Sequence, residues 1–499
     1  MHTYITTTIP YVNARPHIGF ALELVQADVL ARHRRGRGDR VRFQAGTDDN
    51  SLKNVLAAET AGVDVREFVD GNARAFLALG PALSLTVDDV IRTSSDLRHR
   101  PGVERVWRAC AAAGDLYRKR YEGLYCTGCE QFYSPAELRD GRCPEHETEP
   151  QRVAEENWFF RLSRYGEPLR EAITRGELRI EPAGRRNEVL AFIAGGLEDF
   201  SVSRPAERAG GWGIPVPGDP GQVIYVWWDA LCNYITALGY GTDGDAYREW
   251  WTGARRVHLL GKGVLRFHAV YWPAMLLSSG QPLPTDIYVH DYLTAGGRKI
   301  SKSSGTAADP AALASEYGTD AVRWWLLREV PRVGDADFTV ERMIARADDE
   351  LANGLGNLVN RVVAMIRRYR DGRVPGPQPV PDGGEDLDAA CRRAGDRVGA
   401  ALAGFDFRRA TAAVWAIADE ANRFVNRVRP WDLARAERAG DTGAGRRLDA
   451  VLYALFGACL ALGRELEPFL PDGAARIDCQ CTALDGRLPD PSPVFRRLA

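Results

Sequence analysis

The side chains best suited to chemistry lie in two short stretches far apart in the chain. His17 and Gly19 stand in PHIGF, at the mouth of a helical pattern that runs to about Arg34. A helix N-terminus presents unpaired N–H groups and partial positive charge, which suits a phosphate. The second stretch, GGRKISKSSG, carries Lys299 and Lys302. Of 65 basic residues only five are lysine (Lys53, Lys119, Lys262, Lys299 and Lys302), and arginine supplies the rest. Where arginine is the default, a retained lysine marks a place that needs a compact, mobile ammonium. On a Gly/Ser-rich loop such groups can approach a polyphosphate and neutralise charge growing on a leaving pyrophosphate. Alone, each stretch also reads as a polar helix cap or a solvated basic loop; together they read as a nucleotide site.

A third group is spaced for a metal. In YCTGCEQFYSPAELRDGRCPEHE, Cys126 and Cys129 are followed by Cys143 and His146 at the same separation. Two such knuckles offer four soft or borderline ligands to a tetrahedral ion, which favours Zn2+, and with no position left open the site would be structural. Cys110, Cys232, Cys391, Cys459, Cys479 and Cys481 show no such pairing with histidine and read as packing residues.

These groups need elements to hold them. TYITTTI (3–9) reads as a buried, β-branched strand, RVRFQAGTDD (40–49) as a strand ending in carboxylates, and 54–80 as helix. That is the opening of a doubly wound parallel sheet, whose ligands sit beyond the strand C-termini. Helix is expected to about Ala113, and 115–222, with short strands, paired cysteines and a Gly/Pro-rich run, reads as an insertion. Strands return at 223–228 (VIYVWW), 256–260 (RVHLL) and 286–290 (DIYVH). From about Ala345 the periodicity is helical, broken by a loop at 371–388. The expected fold is α/β: a Rossmann-like doubly wound parallel sheet with a zinc-knuckle insertion and a C-terminal α-helical bundle. Its expected divisions are 1–114 and 223–290 (two halves of the catalytic domain), 115–222 (the connective insertion), 291–350 (a linker domain with the lysine loop) and 351–499 (the bundle).

Bulk properties narrow the class. At 499 residues the chain exceeds one core. A net charge of −2 gives no global basic field, so any nucleic-acid surface must be a local patch. There is no charged leader followed by an apolar run and no bilayer-length apolar segment, so no membrane association is expected. Nine cysteines, an odd number scattered over a long chain, point to a reducing cytoplasm rather than a disulfide framework.

The pair HIGF…KISKS resembles the two signatures of class I aminoacyl-tRNA synthetases, usually written HIGH and KMSKS. Within that class the chain resembles the methionyl-tRNA synthetase family over essentially its whole length. The stretches that carry the likeness include TTTIPYVNARPHIGF, GTDD, the cysteine knuckles, ENWFFRLSRY, GLEDFSVSR, WGIPVPGD, YVWWDALCNYITALGY, HLLGKGVLRFHAVYWPAML, YGTDAVRWWLLREVP and ANGLGNLVNR. Relatives specific for isoleucine, leucine or valine need a large editing insertion, because one methylene in an apolar pocket is worth only about 1–3 kcal/mol. An insertion filled by a zinc knuckle leaves no room for one.

The resemblance implies ATP-dependent activation of methionine to the adenylate and transfer to tRNA(Met), with ATP, Mg2+ and a structural Zn2+. It assigns His17, Lys299 and Lys302 to catalysis, and Gly19, Phe20, Gly261 and Ser301 to ATP alongside them. Asp48 would hold the methionine ammonium. Ile9, Tyr11, Trp227, Ala230, Leu231, Tyr234, Val264 and His268 would form the pocket, aromatics gripping the thioether and Tyr or His offering its sulfur a weak hydrogen bond. Asn357, Arg361, Pro430 and Trp431 would read the anticodon, with an aromatic to stack on an unstacked base. The chain ends at the bundle with no appended oligomerising domain, so a monomer is expected.

Departures cluster on the nucleotide side. Phe20 stands where the family has a second histidine, Gly263 where an aspartate contacts the ribose, Asn50-Ser51 where His-Gly closes the acidic motif, and Asp291 where glycine follows histidine. Two other readings therefore accompany the main one. One is a specialised second synthetase, for inhibitor resistance or methionine activation outside translation. The other is a non-enzymatic tRNA-binding relative, against which the retained Lys299, Lys302 and Asp48 speak.

Overall fold

The computed structural model of the chain describes residues 1–126, 131–144, 147–242, 244–300 and 308–498. They divide into two compact units: Met1–Ala27, Arg34–Gly80 and Thr86–His290 form the first, and Asp28–His33, Pro81–Leu85 and Asp291–Ala499 the second.

The first unit is built on a six-stranded sheet. Its strands are β1 (His2–Thr6), β2 (Arg40–Thr47), β3 (Asp89–Arg92), β4 (Arg179–Glu181), β5 (Arg255–Gly261) and β6 (Asp286–His290), in the order β3-β2-β1-β5-β6-β4. Every pairing is parallel. Parallel strands are covered on both faces: Tyr4, Ile5, Phe43, Leu259, Leu260, Ile287 and Val289 are fully buried, and so are the polar Thr3, Thr6, Gln44 and His258. Chain order reverses between β1 and β5, and a crevice beyond the strand ends at such a point is where ligands bind. The first helix, α1 (Ile18–Gly36), leaves β1 through the PHIGF loop and buries Ala21, Leu22, Val25 and Val29.

The sequence is misleading in three places. VIYVWW is not a returning strand of the parallel sheet. The strand there, Asp219–Ile224, lies in a three-stranded antiparallel sheet, and a helix begins at Val226. A short apolar run does not by itself distinguish a buried helix from a strand. β3 lies in a stretch read as helix, with the helix proper at His99–Ala112. β4 comes from within 115–222 and pairs with β6, so that stretch contributes to the parallel sheet. The rest of 115–222 includes a four-stranded antiparallel sheet in the order Gln131–Tyr133, Leu116–Cys126, Gln151–Phe160, Phe200–Ser201.

The second unit opens with a hairpin, Leu293–Ala295 and Arg298–Lys299, flanked by the parallel strand Ala336–Asp337. Beyond it the unit is helical, and Asn357–Arg370, Glu385–Ala403, Phe407–Val428 and Thr442–Leu466 are its longest helices. Each buries one stripe: Leu358, Val362 and Ile366 on the first, Val414, Ala418 and Val425 on the third. Among the described residues no helix is long and apolar enough to cross a membrane.

Candidate functional site

Beyond the C-terminal ends of β1 and β2 the chain brings Tyr11 and Asp48 side by side. They form an isolated parallel bridge, and the Asp48 N–H donates to Pro10 O at 2.9 Å. Asp48 is buried, while Ile9 and Tyr11 are half-buried. The helix Val226–Thr236 supplies Trp227, Ala230, Leu231 and Tyr234, and the turns after β5 supply Val264 and His268. Tyr11 meets Trp227 edge to face with ring centroids 6.2 Å apart, Trp227 meets His268 at 6.3 Å, and Trp227 stacks on Phe267 at 3.8 Å. Tyr11, Trp227, His268 and Tyr234 thus form one connected aromatic cluster.

His268 has a defined tautomer. Its Nδ1 lies 2.9 Å from Val264 O, a carbonyl that can only accept, so Nδ1 carries the proton. Nε2 then accepts from the Tyr234 hydroxyl at 2.8 Å. Burial lowers the His268 pKa to about 4, so the ring is neutral in the physiological range, and burial pushes the Tyr234 phenol well up. The Tyr234 O–H and the one His268 N–H are both engaged within the protein. Neither of these two groups is therefore left to donate to a further acceptor.

The nucleotide side starts at the mouth of α1. The Gly19 N–H donates to His17 Nδ1 at 3.1 Å, which places the proton of the neutral ring on Nε2. A Cβ on Gly19 would lie 2.9 Å from His17 Cε1, so glycine is what lets the ring fold back over the helix mouth. Phe20, half-buried like Val65 and Trp212, packs at the margin of the buried cluster Val12, Val69, Ala73 and Phe76. Glu23, one turn into α1, accepts from the Thr8 N–H and hydroxyl at 2.6 and 2.7 Å, and its other oxygen is 3.0 Å from His290 Nε2. Gly261 ends β5 beside that imidazole. The Thr8–Glu23–His290 link ties α1 to the ends of β1 and β6, and no motif announced it. The available signal was a carboxylate among the buried residues of α1.

A family model described as tRNA synthetases class I (M) matches residues 3–155 and 133–363. The methionine–tRNA ligase of Caldanaerobacter subterraneus subsp. tengcongensis is 40% identical over 470 residues, 94% of this chain and 72% of the relative. That of Brucella suis is 38% identical over 514 residues, 99% and 97% of the two chains. The solved structure of Mycobacterium tuberculosis methionyl-tRNA synthetase in complex with methionyl-adenylate is similar with a TM-score of 0.93 at 36% identity, over 99% of this chain and all of that one. The chain belongs to the class I methionyl-tRNA synthetase family.

Other elements of this synthetase are built separately. Lys299 closes the hairpin of the second unit, while Ser301 and Lys302 lie outside the described residues. The segment Gly334–Asp337 grips that hairpin. Asp335 accepts from the Tyr292 N–H at 2.9 Å, and Asp337 accepts from the Gly297 N–H and the Thr294 hydroxyl at 3.0 and 2.9 Å. Those hydrogen bonds, the one from Gly297 first, hold the Asp337 carboxyl below its ordinary pKa. Asp291 accepts from the Gly334 N–H at 2.6 Å, which accounts for one of the departures by backbone anchoring.

Cys126 and Cys143 share a small buried cluster with Tyr133, packed by Leu138. Cys126 Sγ is 3.8 Å from Thr148 Oγ1, and the Cys143 N–H donates to Thr148 O at 2.9 Å. Cys129 and His146 lie outside the described residues, and among those described no group of three or more His, Cys, Asp or Glu is placed to hold a metal. Both thiols are buried, and thiol sulfur is a donor suited to a soft cation. In the bundle, Asn357 is exposed and Arg361 half-buried on one helix. Pro430 begins another, with Trp431 exposed beside it.

Proposed function

We infer that the chain activates methionine with ATP and transfers it to tRNA(Met). The observation that carries this reading is the aromatic cluster of Tyr11, Trp227, Tyr234 and His268, with Tyr11 bridged to Asp48, in a chain of this family. Asp48 takes the substrate ammonium and the rings enclose the thioether. The methionine carboxylate attacks the α-phosphorus of Mg-ATP; a C–O–P bond forms, the Pα–O–Pβ bond breaks, and pyrophosphate leaves with the electron pair. A hydroxyl of the tRNA's terminal ribose then attacks the adenylate carbonyl, releasing AMP.

Side chains do little covalent work here, so positioning and charge stabilisation supply the rate. His17, with its Nε2–H, and the α1 N-terminus face phosphate oxygens, with Gly19, Phe20 and Gly261 lining the nucleotide. Lys299, Ser301 and Lys302 act on the departing pyrophosphate. Cys126, Cys129, Cys143 and His146 would hold a Zn2+ that stabilises the insertion and takes no part in the reaction. Asn357, Arg361, Pro430 and Trp431 read the anticodon. We read the chain as a monomer organised in the five stretches 1–114, 115–222, 223–290, 291–350 and 351–499.

The packing of Phe20 supports a nucleotide side that has been re-tuned rather than abandoned, which keeps the specialised second synthetase as the nearest variant of this reading. Methionine-dependent pyrophosphate exchange, followed by tRNA charging, tests it.

A further inference from the structure

Asp229 sits in the first turn of the pocket helix, 1% exposed among aromatic and aliphatic neighbours. A carboxylate so placed is costly unless its oxygens are matched. Its Oδ1 is 2.5 Å from His99 Nε2, and its Oδ2 accepts from the Asn50 side-chain amide at 2.7 Å. His99 is itself fully buried, and its Nδ1 is 2.8 Å from the Thr236 hydroxyl on the same helix as Asp229. The Asn50 amide also reaches Thr93 O at 3.3 Å. The backbone N–H of Asn50 donates to Asp48 Oδ1 at 3.3 Å.

The loop 48–51 is fixed on its other side as well. Asp49, fully buried, takes Arg92 Nε at 3.1 Å, Ser94 Oγ at 2.7 Å and Thr47 Oγ1 at 2.8 Å, and Ser51 caps the helix that follows. A chain of hydrogen bonds thus runs from Thr236 through His99 and Asp229 to Asn50 and ends on the carboxylate of Asp48. Asn50 is the only link in it that touches both the buried dyad and Asp48.

We propose that Asn50 is a positioning residue through which the buried Asp229–His99 pair orients Asp48 toward the substrate ammonium. The inference rests on the reading that methionine binds through Asp48. Asn50 supplies a donor to Asp229; aspartate at the same position supplies a second carboxylate of the same shape, and alanine supplies nothing.

The test is methionine-dependent pyrophosphate exchange by the full chain and its Asn50→Ala, Asn50→Asp and His99→Gln variants. Inhibition by 4-(methylthio)butanoate, which is methionine without its ammonium, is measured alongside. Losing a hydrogen bond to a charged group corresponds to about a tenfold effect. Each variant is expected to raise the KM for methionine about tenfold or more. The KM for ATP and the inhibition constant of the analogue should stay within about twofold, because only the placement of Asp48 against the ammonium changes. His99→Gln acts away from the loop and keeps the test open if a variant at Asn50 fails to fold. Equal weakening of methionine and the analogue, or an unchanged KM for methionine, overturns the proposal. Absence of methionine-dependent exchange in the wild-type chain overturns the underlying reading instead.

Discussion

Phe20 lies against His17 with ring centroids 4.4 Å apart, and it meets Phe76 edge to face at 5.4 Å. Phe20 thereby links His17 to an apolar cluster. Restoring histidine at this position puts a polar ring among Val12, Val69 and Phe76, at a cost of about 1–3 kcal/mol if its nitrogens find no partner. We therefore expect Phe20→His to melt several degrees lower and to gain little in pyrophosphate exchange. Combined with Gly263→Asp it should be non-additive, by about 0.5–3 kcal/mol. A rise of orders of magnitude in the single variant would show a site merely lacking its histidine.

The neutral state of His268 makes stability depend on pH. Its pKa is near 4 when folded, against about 6.5 in the unfolded chain. The unfolded chain takes up this proton as pH falls through 6.5, and the folded chain does not until about 4. Stability therefore falls with pH across that window, by up to about 3 kcal/mol from this group, and the contribution levels off below it. Buried His258, also held neutral, acts in the same direction. Urea unfolding between pH 7.5 and 4.5 should show a shallower loss for His268→Gln than for the wild type. Equal slopes would mean that the ring is protonated in the folded chain.

One Zn2+ per chain is expected, held by Cys126, Cys129, Cys143 and His146. Elemental analysis of the purified protein checks it. Cys129→Ser should lose metal and loosen the antiparallel insertion to proteolysis before the parallel sheet. A metal content near zero in the wild type removes this assignment.

Trp431, 36% exposed at the start of its helix, should matter to tRNA and not to adenylate formation. Removing one base–aromatic stack costs about 1–3 kcal/mol. Trp431→Ala should lower charging efficiency by about tenfold to a hundredfold while exchange stays unchanged. Equal damage to both reactions would contradict the placement of anticodon reading in the bundle.

How much of this could be read from the chain follows from what pattern can carry. β1, β5 and β6 announce themselves by short runs of β-branched, aromatic and aliphatic residues between turn-rich stretches. β3 and β4, at four and three residues, are too short and too charged to show any periodicity. His17, Gly19 and Asp48 are visible because loops beyond strand ends are where polar residues do chemistry. Asp229 and His99 were passed over: they act only as a pair, 130 positions apart, and a lone acid in VWWDALCNY shows that a partner is required without naming it. The engagement of Tyr234 with His268 was equally invisible, since a tautomer is set by a neighbouring carbonyl.

Every role proposed for these residues depends on activation of methionine beside Asp48. Exchange of labelled pyrophosphate into ATP, measured as a function of methionine for the wild type and Lys302→Ala, tests it most directly. The expected result is exchange that saturates with methionine. In Lys302→Ala the maximal rate should fall about 10²–10³-fold with little change in ATP affinity, as for other groups that stabilise charge in the transition state. Wild-type protein that binds tRNA yet shows no methionine-dependent exchange would contradict the account.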